Sequence, residues 1–167
     1  MRLLLHCTAA EMFVFQALPF LLMVMAAVFL WEILLIVAGM VWAAVQFSWM
    51  IGVSRAANSY LARPLQRSTR VMEIALCYAF LYIPIGSYVL LRGPETLLIV
   101  VLHLAAMAAI FYALWFSARQ LSTVRHRSYS FENTFRSFLL MWFFPIGIWF
   151  LQPFVRQRLG REGAYHL

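Results

Sequence analysis

Residues able to do chemistry are few in this chain, and they are scattered. The imidazoles are His6, His103, His126 and His166, and the carboxylates are Glu11, Glu32, Glu73, Glu95, Glu132 and Glu162, with no aspartate. Only His103 falls well inside an apolar run. An ionisable group in hydrocarbon is costly to bury, so it is a functional candidate by default. At 100° per residue His103 shares a helical face with Val100, Met107 and Ile110 and lies roughly opposite Ala105. A tight turn at 92–95 would bring Ser87 or Tyr88 to a similar depth, within hydrogen-bonding reach of the imidazole. A serine–histidine pair is the core of nucleophilic hydrolysis, but no third residue orients this histidine and no oxyanion donor is identifiable. A structural histidine, a proton or ion relay and a catalytic base all remain open for His103.

The other constellations are poorer still. No two histidines have ligand spacing on one face, and Cys7 and Cys77 lie in different segments, so neither a metal site nor a disulfide is expected. Glu32 and Glu73 are expected on opposite sides of a bilayer, which rules out a carboxylate dyad between them. The seven glycines occur singly, so no phosphate-cradling loop is present. No cofactor is expected.

The elements that must position these groups are set by lipid. Met12–Val53 holds forty-two residues and a single charge, Glu32. About 20 apolar helical residues cross a hydrocarbon core of ~30 Å, so one straight helix here would be about twice too long. The stretch is expected to fold back at Trp31-Glu32, giving antiparallel spans at 12–30 and 33–53. The competing arrangement is one span near Phe20–Val41 with its leading residues on the surface. Composition agrees with a lipid solvent: 65% hydrophobic, 11% charged, mean hydropathy +0.84, against about a quarter charged in soluble domains. The net charge of +7 comes from thirteen arginines and no lysine. These arginines flank apolar runs, which favours orientation and anionic lipid head groups over nucleic acid.

The N-terminal Met1–Cys7 has a faint signal-peptide look, but the apolar region after it is too long for a cleaved signal, and it is expected to be retained. In the first span Pro19, near Gln16, is expected to kink the helix. In the second, Gly39 and Ala43 form a small-residue pair suited to close helix packing, and Gln46 and Ser48 suit interhelical hydrogen bonds. Residues 54–70 form a basic loop with Arg55, Arg63, Arg67 and Arg70, able to touch anionic head groups. A third span is expected over 71–91, with Glu73 at its entry and a bend or opening at Pro84-Ile85-Gly86-Ser87. A fourth, over 96–116, carries the small stripe Ala105, Ala109 and Ala113. A second basic segment, 117–136, contains Arg119, Arg125, Arg127 and Arg136, with Ser130 placed to cap a helix and Glu132 in its first turn. The last apolar segment, 138–155, is broken by Pro145, Gly147 and Pro153.

Threading follows from the arginines. With both basic loops in the cytoplasm the N-terminus is cytoplasmic too, and nine arginines lie inside against Arg92 outside. If 138–155 crosses fully, Arg156, Arg158 and Arg161 leave the cytoplasm; if it enters and returns at Pro145–Gly147, the ratio becomes twelve to one. The expected fold is therefore all-α, a single integral membrane domain over 1–167 with four spans and a membrane-embedded C-terminal segment; five spans is the alternative. Tyr82–Gly86 and Phe143–Gly147 share an aromatic followed by Pro-Ile-Gly, a possible internal repeat of the kind from which transporters are built.

The segment FFPIGIWFLQP, Phe143–Pro153, resembles the C-terminal signature of small multi-pass bacterial membrane proteins. The resemblance covers about the last quarter of the chain. It implies a bacterial inner-membrane protein of similar threading and no particular activity. The expected function is a non-catalytic accessory or assembly subunit acting through helix–helix contacts with a membrane-protein partner or with its own copies. The alternative is a small transporter or oligomeric channel built on the Pro-broken helices and His103.

Overall fold

The computed structural model describes residues 2–29, 31–93 and 97–160, and they form helices joined by short connections, with no strand among them. The order is α1 (Arg2–His6), α2 (Ala9–Val28), α3 (Glu32–Tyr60), α4 (Arg70–Arg92), α5 (Leu97–His126), α6 (Phe131–Trp142) and α7 (Phe144–Phe154). A three-residue 3₁₀ turn sits at Arg63–Leu65, and a π-helical turn over Val155–Gly160 continues α7. Four helices are long and apolar enough to cross a membrane, those built on α2, α3, α4 and α5. The hairpin reading of Met12–Val53 holds: α2 and α3 are separate helices packed side by side, with the chain turning after Phe29.

Two helices run further than hydropathy places them. The second span is expected to end at Val53, but α3 continues to Tyr60; the fourth is expected to end at Phe116, but α5 continues to His126. Hydropathy marks where lipid ends, whereas a helix ends where its hydrogen bonds and packing stop. Ser54 and Ala57 of α3, and Ser117, Ala118, Gln120 and Leu121 of α5, are buried, so both extensions are held by packing. The first basic loop shrinks accordingly to residues 61–69, and Arg55 sits on a helix. The turn expected at Arg92–Glu95 lies mostly outside the described residues; Gly93 closes α4 in the left-handed region (φ 73°).

Local signals explain the helix starts. Thr8 caps α2 through a capping box: its hydroxyl accepts from the Glu11 amide (3.2 Å) while the Glu11 carboxylate accepts from the Thr8 amide (2.6 Å). Ser130 occupies the N-cap position of α6, as expected, but its side chain makes no cap bond. Pro145 lies in the first turn of α7, where a missing N–H costs nothing because that donor has no helical acceptor. The chain breaks at Phe143, before that proline, rather than at the expected Pro145-Ile146-Gly147. The Phe143 amide closes α6 on the Leu139 carbonyl (2.9 Å), and the Phe143 carbonyl accepts from Gly147 (2.8 Å) to open α7.

Helices α6 and α7 have 12 and 11 residues, about 18 and 16 Å at 1.5 Å per residue, so neither alone spans ~30 Å. They pack on one another so closely that a methyl group at Gly147 would collide with the Leu140 carbonyl. On α5, α6 reaches from Thr134, 3.1 Å from Ser122, to Trp142, stacked on Phe111 at 4.6 Å. Helix α7 returns past Trp49 of α3 and Phe13 of α2 to Phe154, whose ring lies under the Arg125 guanidinium (5.8 Å).

Candidate functional site

His103 sits in α5 six residues from Leu97, and its imidazole faces the ring of Tyr82 on α4 at 5.8 Å. One turn earlier on α4, Tyr78 donates its hydroxyl proton to the Leu102 carbonyl (2.9 Å). This register sets Ser87 more than a turn beyond His103's level. No described hydrogen bond joins the two, so the anticipated Ser87–His103 pair is not assembled. Pro84 and Gly86 do not open the helix, because α4 is continuous through both. Proline removes one rung of the ladder, and the neighbouring rungs carry the helix across. Gly86 has a different use: Tyr82's ring lies over it, leaving no room for a Cβ (2.7 Å to Tyr82 Cε1). Pro84-Ile85-Gly86 thus lies mid-helix, whereas Pro145-Ile146-Gly147 opens a new one, and the two are not structural equivalents.

Glu73 and Glu32 lie far apart, each in the first turn of its own helix. Glu73 accepts two hydrogen bonds from Arg55 (2.8 and 2.7 Å) and a third from the Thr69 hydroxyl (2.7 Å), an arrangement that ties the end of α3 to the start of α4. Glu32 opens α3 at the opposite end of the bundle, beside a shallow apolar hollow lined by Trp31, Ile33, Leu34 and Val37. No group of three or more metal-ligating side chains occurs among the described residues. Arg55, Arg63, Arg67, Arg70, Arg125 and Arg127 are all exposed at the end of the bundle where α3 and α5 finish and α4 begins.

The small-residue faces divide. Gly39 is half-buried, and a Cβ added there would reach ordinary contact with Met23 of α2 and Ile83 of α4, while Ala43 is fully buried. The α5 stripe does not act as one face: Ala113 is buried, Ala109 half-buried and Ala105 exposed. A row at four-residue spacing drifts about 40° per step, so it winds from the lipid side to the core. His103 is exposed as well, on the side of α5 that meets Tyr82 of α4.

The best-formed polar cluster was not singled out in the sequence. Gln152 of α7 is completely buried; its Oε1 accepts from Trp49 Nε1 (2.9 Å), and its Nε2 donates to the carbonyls of Leu4 and Cys7 (both 2.9 Å). One amide thereby ties α7 to α3 and satisfies carbonyls at the end of α1 that have no helical donor. The available signal was that Gln152 is the only amide side chain within 138–155. Nearby, the Ser54 hydroxyl donates to Ser117 Oγ (2.8 Å), which donates to the Ala113 carbonyl (2.8 Å). Desolvation, together with the Glu11 carboxylate, pushes the Cys7 thiol above its ordinary pKa, which disfavours a nucleophilic thiolate there. Together these groups hold helices to one another. Comparison with known proteins finds no match among family models, curated proteins or solved structures.

Proposed function

We propose that the chain is a non-catalytic accessory or assembly subunit of a plasma membrane, acting through helix–helix contacts. The observation that carries this reading is the outward face of α5. Val101, Leu104, Ala105 and Ala108 are exposed there, away from the side on which His103 meets Tyr82 of α4. Small residues on an apolar outward face allow close approach of another backbone. A transmembrane helix of a partner, or of a second copy, seated on Ala105 and Ala108 would use that face. In this reading four helices cross and α6–α7 enters and returns on the arginine-rich side, which faces the cytoplasm with the N-terminus. The lengths of α6 and α7 and the return of Phe154 to Arg125 support that threading. The exposed arginines then lie against anionic head groups, and the resemblance of Phe143–Pro153 favours a bacterial inner membrane. The transporter alternative uses two Pro-broken helices and His103, and of the two helices α4 is unbroken.

The test is purification in mild detergent of the chain and an Ala105→Trp variant. The expected outcome is a stoichiometric complex with the native chain and its loss with the variant, while the melting temperature of the isolated chain stays unchanged. A native chain that is monomeric and alone from its own membrane refutes the reading. Reporters at residue 160 and in the 61–69 loop test the threading, and opposite sides for the two would refute it.

A further inference from the structure

Gln16 of α2 and Gln46 of α3 are 3% and 5% exposed, and both amide atoms of Gln16 and Oε1 of Gln46 have no hydrogen-bond partner. A buried amide with no partner bears the full desolvation penalty of its polar atoms. Their relative position follows from one close approach: a Cβ built on Gly39 of α3 would lie 3.8 Å from the Met23 sulfur of α2. Gln16 lies seven residues before Met23, and Gln46 lies seven residues after Gly39. In an antiparallel pair both steps run the same way, about 10 Å along the axis, and return to within about 20° of the same helix face. The two amides therefore meet at one level of the α2–α3 interface. A third group joins them: Pro19 offers no N–H to the Phe15 carbonyl one turn back. Acceptors from Gln16, Gln46 and Phe15 and a donor from Gln16 are thus collected inside an otherwise apolar helix pair.

We propose that this level of the α2–α3 interface is an internal water-binding site, in which water bridges Gln16, Gln46 and the Phe15 carbonyl. The mixture of acceptors and a donor suits a neutral guest that both gives and accepts hydrogen bonds. Buried waters occupy sites offering two to four polar partners. Gln152 provides the internal contrast, being equally buried and fully paired.

Water-edited solid-state NMR of glutamine-labelled protein in lipid bilayers tests this on the native chain, with Gln16→Leu and Gln46→Leu used for assignment. The expected result is transfer from water to the Gln16 and Gln46 side-chain amides as fast as to the exposed Gln66, and slow transfer to Gln152. Transfer to Gln16 and Gln46 as slow as to Gln152 overturns the proposal, and indicates amides paired directly with each other. In melting experiments each single leucine variant is expected to lower the transition, with the double variant no worse than the more damaging single. A rise in melting temperature for Gln16→Leu overturns it equally.

Discussion

The two ends of this bundle are built differently. At the arginine-rich end, α3 and α5 bury Trp49, Met50, Val53, Leu121 and a set of small polar residues, and the α6–α7 hairpin fills the space between helices. At the other end α2, α3 and α5 expose Val28, Ile33, Leu97 and Leu98. Lipid is as apolar as leucine, so burying apolar surface between helices gains little there, and hydrogen bonds and tight packing must hold the array. The hydrogen-bonded side chains that join helices concentrate accordingly at the arginine-rich end: Gln152 with Trp49, Ser54 with Ser117, Ser122 with Thr134, Arg55 with Glu73. The contrast teaches that this chain is fastened at one end and exposes apolar side chains along the rest.

The largest disturbance of that contrast should come from Gly147→Ala. The added methyl collides with backbone, which cannot rotate away, so α6 and α7 must separate. The expected loss is at or above the ~3 kcal/mol upper part of the usual overpacking range, read as a failure to give a monodisperse species in size-exclusion chromatography. Gln152→Leu comes next. It strands the Trp49 indole N–H and the Leu4 and Cys7 carbonyls, and at ~1–3 kcal/mol per unpaired buried group a loss of about 3 kcal/mol is expected in denaturation from detergent. Trp49 emission should shift with it, because the indole loses its acceptor.

Which parts of this were legible beforehand follows the same division. The four long helices were readable because hydropathy averages over ~20 residues and tolerates errors in single positions. The extension of α3 and α5 was not, since Arg55, Arg119 and Arg125 mark water and say nothing about where a helix stops. Nor was the break at Phe143: proline in a membrane segment serves either as a kink or as a first-turn residue, and composition does not separate the two. Gln152 acts on carbonyls 145 and 148 positions away in the chain, a pairing no local pattern encodes. A tight turn at 92–95 predicts Ser87 or Tyr88 beside His103, and the observed register brings Tyr82 there instead.

Smaller effects sharpen the comparison within the fastened end. Leu121→Ala opens a cavity beside buried neighbours in α3 and α5, and the cavity term predicts a loss of about 2 kcal/mol. Arg55→Met removes a two-bonded pair whose side chains remain 56% and 24% exposed, so no more than about 1 kcal/mol is expected, and less in concentrated salt. Equal destabilisation of the native chain and the Arg55→Met variant by salt would show that the pair is not a fastening.

The smallest effect is expected from Leu104→Ala, the same substitution as Leu121→Ala on the same helix. Leu104 is 62% exposed, against 1% for Leu121. Acyl chains or detergent tails refill the space that the lost atoms leave, so no cavity forms and the change should stay within ~0.5 kcal/mol. That holds for the isolated chain. If α5's outer face is covered in the native assembly, Leu104→Ala should weaken the recovered complex while leaving the isolated chain's unfolding unchanged. A Leu104→Ala loss in the isolated chain as large as that of Leu121→Ala would remove the distinction between the two ends. The open face of α5 would then be ordinary core instead of a surface reserved for another helix.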